Sequence, residues 1–264
     1  MMFQGYQKNQ TPKGGERVKK AIITASLMIL VMASSGYAAR NSAVIATGPH
    51  DMSAGSALNN ADATINGQTC VFCHTPHGGS TTVPLWNRNN PTSTYQLYTS
   101  STLDSTTTSA TIQSSVSGAC LSCHDGSIAI DVLRNLNGVA FTSGVAFTVQ
   151  GTATATYGNS GSGTNNILAG GIPYLGTDLR NDHPISMIYE TSRAATATEF
   201  VTQTANGSKI YVASASGDLP LYGTSTATAT VECASCHNPH NNSQGTFLRK
   251  SNAASAVCLT CHIK

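Results

Sequence analysis

Two stretches of this sequence place cysteine and histidine in the same order. They are Cys70-Val71-Phe72-Cys73-His74-Thr75-Pro76-His77 and Cys233-Ala234-Ser235-Cys236-His237-Asn238-Pro239-His240. Each contains Cys-x-x-Cys-His, the attachment signature for c-type haem. The two thiols add across the haem vinyl groups, and the histidine that follows reaches the iron as its proximal ligand. Each stretch then adds Pro-His, which puts a second imidazole three residues past the first. The porphyrin plane stands between that imidazole and the far face of the same iron. It is therefore expected to be the distal ligand of a neighbouring haem. Two single motifs complete the set, Cys120-Leu121-Ser122-Cys123-His124 and Cys258-Leu259-Thr260-Cys261-His262.

The chain has 8 Cys, and the four motifs use them all. None is left for disulfides or nucleophilic catalysis. Pairs of Cys-x-x-Cys also bind zinc, but zinc does not require a histidine after the second cysteine. Here every pair has one, so four covalently bound haem c groups are expected. Of the 8 His, four are proximal: His74, His124, His237 and His262. The other four, His50, His77, His183 and His240, give one spare imidazole per haem and are expected as distal ligands. An iron held on both axial sides has no open position for substrate, which favours electron transfer over catalysis and argues against an enzyme. Met52 and Met187, beside His50 and His183, are alternative axial ligands that would raise the potential of a haem.

These sites need a scaffold, and composition limits what it is. Charged residues are only 10% of the 264. Residues 1–38 read as a signal peptide. Lys8, Lys13, Arg17, Lys19 and Lys20 form its basic region, Ala21 to Ala33 an apolar run short for a membrane span, and Gly36-Tyr37-Ala38 a cleavage site. Export of residues 39–264 fits haem attachment, which occurs outside the cytoplasm. Without residues 1–38 most of the positive balance is gone, and no basic patch suggests nucleic acid. Little polypeptide remains per haem. The expected fold is mostly coil with short helices and a few short strands, wrapped around a stacked haem core.

Local signals place the pieces. Gly48-Pro49-His50-Asp51 is a turn that presents a histidine. Trp86, the one Trp, is expected to pack on a porphyrin face. Residues 92–118, rich in Ser and Thr, belong on the surface, and Ile112 to Cys123 reads as a short helix carrying the second motif. Residues 138–171 read as a Gly/Thr-rich insert, with an exposed hairpin near Val145 to Val149. Lys209 to Ala213 and Thr228 to Glu232 read as short strands. Ser251 or Asn252 is expected to cap a helix running to Cys261.

The order of motifs repeats. His50, a double motif and Cys-Leu-x-Cys-His are followed by His183, a double motif and Cys-Leu-x-Cys-His. Two dihaem half-units, about 39–137 and 172–264, are expected. If each half serves itself, His50 ligates the first haem, His77 the second, His183 the third and His240 the fourth. A competing assignment sends His50 out of its subunit to complete a haem of the next, because it lies on a polar arm near the expected mature N-terminus.

At these residues the sequence resembles the multihaem c-type cytochromes with doubled Cys-x-x-Cys-His motifs. It is most similar to the tetrahaem extracellular nanowire cytochromes of the outer-membrane cytochrome E type. Gly48 to Asp51, both double motifs, Leu121 to Gly126, Asn181 to Ser186 and the C-terminal motif carry the likeness. The resemblance implies haems stacked in a continuous chain, bis-histidine ligation, ligation across subunits of a head-to-tail homopolymer, and electron transfer to acceptors outside the cell. Redox partners would be periplasmic or outer-membrane cytochromes and extracellular electron acceptors. A soluble periplasmic tetrahaem shuttle and a multihaem reductase with one open haem are the alternatives.

Overall fold

Ser115 decides where the second attachment motif sits. The sequence suggests one helix from Ile112 to Cys123, but Ser115 is extended, with φ −90 and ψ 175, and breaks it. Its backbone N–H closes helix α1 (Ser109–Ser114) on the Ile112 carbonyl. Its hydroxyl accepts from the backbone N–H groups of Ser117 and Gly118 at 3.1 and 3.4 Å, opening helix α2 (Val116–His124). A serine side chain satisfying otherwise unpaired N–H groups is a strong helix start. Gly118 allows the two helices to meet so tightly, since a Cβ there would lie 2.5 Å from the Gln113 carbonyl oxygen and 2.6 Å from that of Ile112.

The computed structural model describes residues 48–52, 69–80, 83–130, 132–136, 139–146, 167–168, 173–214 and 217–264. The expected signal peptide, 1–38, lies outside these residues, as does most of the 138–171 insert. In chain order the remaining elements are β1 (Gln96–Leu97), β2 (Val132–Leu136), β3 (Val139–Ala146), β4 (Asp178–Leu179), β5 (Met187–Ile188), helix α3 (Tyr189–Ala195), β6 (Gln203–Asn206), β7 (Lys209–Val212), β8 (Leu219–Leu221), β9 (Thr230–Val231), helix α4 (Cys233–Cys236), a 3-10 turn (Ala253–Ser255) and helix α5 (Cys258–Cys261). Strand β1 pairs with β4 in parallel, while β2–β3, β5–β9 and β6–β7–β8 are antiparallel. The β6–β7 hairpin turns through Gly207-Ser208, with Gly207 at φ +59, a conformation that costs glycine little. The expected strands over 209–213 and 228–232 are present as β7 and β9. The expected helix before Cys261 is not continuous, because Ala254 and Ser255 have φ values of +51 and +60 and break it.

Buried apolar residues form small separate clusters, each lying against an attachment motif. Phe72, inside the first motif, packs with Leu133. Leu121, inside the second, packs with Tyr95, Ile112 and Leu179. Tyr189, Ile210, Val212, Leu221 and Ala229 pack against Cys261 of the fourth. Polar locks join them. Asn87 is fully buried and donates from its amide to the Val71 and Asn135 carbonyls, both at 2.7 Å, tying the first motif to β2. Arg88, 1% exposed, donates to the carbonyls of Ile130, Ala129 and Ser122 at 2.7, 2.8 and 3.1 Å.

Candidate haem-attachment sites

Each motif closes as one helical turn. The histidine N–H donates to the carbonyl of the first cysteine at 2.8 Å in the first motif, 3.0 Å in the third and 2.9 Å in the fourth, and the second motif lies within α2. Residues i and i+3 of such a turn share one face, so both thiols are presented together. None of the eight cysteines is in a disulfide. Among the described residues no group of three or more His, Cys, Asp or Glu is arranged to hold a metal ion. A zinc site needs four such ligands, whereas haem iron needs two axial ones from the protein.

The chain leaves three of the motif turns in extended conformation or bridged to a second segment that holds the proximal imidazole. His74 bridges to Trp86, and its Nδ1–H donates to the Pro84 carbonyl at 3.0 Å. His237 bridges to Leu248, and its Nδ1–H donates to the Thr246 carbonyl at 2.8 Å. His262 bridges to Phe200. The second motif does the same from its helix, with His124 Nδ1–H on the Pro173 carbonyl at 2.6 Å. His183 bonds the Pro184 carbonyl at 2.8 Å, and His50 bonds the Pro239 backbone. A neutral imidazole whose Nδ1–H donates to a carbonyl presents Nε2 as its acceptor, the arrangement a metal ligand needs. The two doubled motifs are alike beyond sequence. Leu85 and Phe247, just before the two bridging residues, both sit in the left-handed region, at φ +58 and +57.

The histidines meet in pairs. Ring centres are 6.1 Å apart for His74 and His240, 6.2 Å for His50 and His124, and 6.3 Å for His183 and His262. At metal–nitrogen distances of about 2 Å, an iron clasped between two imidazoles holds their ring centres about 6 Å apart. All three pairs join an expected proximal to an expected distal histidine, so the residues fit bis-histidine haem. These pairs differ from the self-serving assignment of each half. His240 faces the first motif rather than the fourth, His50 faces the second rather than the first, and His183 faces the fourth rather than the third. Within its own chain His50 is seated against His124 and stacked on Phe247 at 4.3 Å. His77 and His237 are the two that these pairs leave over, and both are exposed. Met187 is buried, and Met52 packs against the Phe72 cluster.

Electrostatics agree with neutral ligands. His50 is pushed down to about 4, by burial first and by its neighbours His124 and His240. Burial also lowers His124 and His262, the latter with help from His183. The thiols form a row. Burial first, and Cys123 next, lift the Cys73 thiol to about 12. Cys120 is raised by its hydrogen bond with Cys233. Cys236 is raised by burial, then by Cys233 and Cys258. The motifs are thus neighbours in sequence order, first to second, second to third, third to fourth. Beside the last one a cavity of about 320 Å³ is lined by Cys258, Leu259, His262 and Lys264.

Several residues around the sites carry no sequence signal. Phe247 stacks on His50, and Phe200 lies 4.8 Å from His262. Trp86, which the sequence did single out, meets the edge of the His74 ring at 5.9 Å. Asn135, 2% exposed, donates its amide to the Thr75 hydroxyl and the His77 carbonyl, both at 2.9 Å, and lies 3.4 Å from His77 Nδ1. A signal for Phe200 and Phe247 would have been their rarity, since the chain holds 6 Phe.

Comparison with known families points the same way. The doubled CXXCH motif family matches residues 226–264, which hold the third and fourth motifs. No curated protein matches the chain. Among the described residues no helix is long and apolar enough to cross a membrane. The family match and the geometry of the motifs support a multihaem c-type cytochrome that binds haem c covalently and acts in electron transfer.

Proposed function

We propose that this chain carries four haems, each low-spin and bis-histidine, and forms an exported, extracellular filament of head-to-tail subunits rather than an enzyme. Haem supplies reversible one-electron chemistry, and the protein tunes it through its axial ligands and their surroundings. The cysteines fix each group by two bonds, the carbonyl-bound histidines orient their Nε2 atoms, and filled axial positions exclude substrate. The row of thiols supports a continuous chain of sites.

One observation carries the polymer. Six histidines are used by the three pairs, leaving His237, a proximal ligand, and His77, a spare. His77 is exposed, yet its backbone is pinned by Thr75 and Asn135. A pinned, exposed imidazole in one subunit and the exposed His237 of another are complementary. A contact between two different surfaces repeats head to tail, and where its rotation does not close a ring it builds an open fibre. Leu259 and Ile263, 45% and 51% exposed beside the fourth motif, and Leu85, 50% exposed beside the first, add apolar surface at two places a neighbour can cover.

His77→Ala tests the reading. The expected product is a soluble protomer with four haems, one of them high-spin when ferric, and no filaments under the electron microscope. His50→Ala is the control and should still polymerise. Intact filaments from His77→Ala, or four low-spin irons in a wild-type protomer that never polymerises, would favour a soluble shuttle.

A further inference from the structure

Between the second and third motifs lies a buried acid that neither motif includes. Glu232 is 2% exposed and immediately precedes Cys233. Its Oε2 accepts from the Ser117 N–H at 3.2 Å, from the Ser117 hydroxyl in a short bond, and from the Ser186 hydroxyl at 3.0 Å. Its Oε1 accepts from the Thr230 hydroxyl at 2.6 Å. The Ser117 hydroxyl in turn accepts from the Cys233 N–H at 2.9 Å, which leaves its own proton for Glu232. These bonds join three elements: α2, which carries Cys120 and Cys123; α4, which carries Cys233 and Cys236; and the Ser186 segment that follows His183.

Among the described residues no Lys or Arg forms an ion pair with this group. Among the described residues the ion pairs are Arg180–Asp178 and Arg193–Glu190. Neutral hydroxyl and amide donors surround Glu232 and reach both of its oxygens. A buried charge without a partner is costly and acts strongly on what lies nearby, because little water screens it. What lies nearby is the Cys120–Cys233 contact, where two attachment motifs meet.

We propose that Glu232 is a positioning and tuning residue for the second and third haems: it staples their attachment helices together and its negative charge lowers both reduction potentials. A negative charge favours the ferric state, which carries one more positive charge than the ferrous. The two middle sites are therefore held below the potentials their bis-histidine ligation alone would give. This rests on the four-haem reading above.

The test is Glu232→Gln in the exported, haem-loaded protein, with haem content measured first and then potentials by spectroelectrochemical titration. The expected result is four haems, an unchanged low-spin spectrum, and an upward shift in two of the four one-electron steps. Thr230→Val is the second arm. It leaves the charge but removes one donor, so the same two steps should shift downward. It also keeps the idea testable if Glu232→Gln fails to mature. A fully loaded Glu232→Gln protein with unmoved potentials overturns the proposal, as does a Thr230→Val protein with an upward or absent shift. A wild-type chain without haem would sink the cytochrome reading instead, and mass spectrometry of the denatured protein distinguishes the two failures.

Discussion

His74 and His240 stand in different halves of the chain, yet their ring centres are 6.1 Å apart and their planes within 21° of parallel. The histidine of the first motif thus meets a histidine of the second doubled motif. The other two pairs are crossed more steeply, His50 and His124 at 70° and His183 and His262 at 66°. Histidines of the two halves meet each other, although the motifs repeat in the same order.

The first prediction concerns His240→Ala. One iron should lose its distal imidazole, and ferric-state EPR should show one high-spin centre among four. Combining the change with Cys70→Ala and Cys73→Ala removes the haem concerned, so that signal should vanish. A high-spin signal that survives the combined change would place His240 on another haem.

Arg88→Met should destabilise the fold by about 3 kcal/mol or more. The guanidinium satisfies three backbone carbonyls, and each buried acceptor left unpaired costs about 1–3 kcal/mol. Arg88→Lys should recover only part, because an ammonium lacks the planar fork. The denaturation midpoint of the haem-loaded protein, followed by circular dichroism, measures both. Equal stability of Arg88→Met and wild type would show that the lock contributes nothing.

Gly118→Ala distinguishes packing from propensity. Alanine in a helix interior is favoured over glycine by about 1 kcal/mol. Here its Cβ would press on two backbone carbonyls of α1, and overpacking costs about 1–3 kcal/mol. The expected sign is a lower thermal midpoint. A higher one would mean that α1 and α2 separate easily.

Glu190 gives a pH dependence through its pair with Arg193. Arg193 and then Gln203 hold its carboxylate down to about 2, against an ordinary 4.5. A depressed acid contributes stability that is present above its unfolded value and lost as pH falls through its folded value. The contribution should therefore be full above about pH 4.5 and fade towards about pH 2. The ion pair is partly exposed, so its worth is below about 1 kcal/mol. Glu190→Gln should flatten stability across that window and leave it unchanged near neutrality. Parallel acid unfolding curves for both proteins would contradict this.

What the sequence alone determined was the chemistry confined to one turn of chain. Two thiols and an imidazole at i, i+3 and i+4 need only that turn, so the four Cys-x-x-Cys-His motifs could be read without knowing the fold. Strands β7 and β9 were legible for the same reason, as runs of residues that pack on pleated surfaces. The Ser115 break was not, because its competing signals, a helical run and a capping serine, weigh differently once α1 must fold back onto α2. Only the tertiary structure decided which distal histidine meets which motif. An axial ligand approaches through space from any segment, and sequence symmetry pointed His240 to the fourth motif while packing put it beside the first. Arg88 and Glu232 were invisible for a related reason: a charged residue reads as surface until the fold buries it, and what it does there depends on which carbonyls, hydroxyls and thiols close around it.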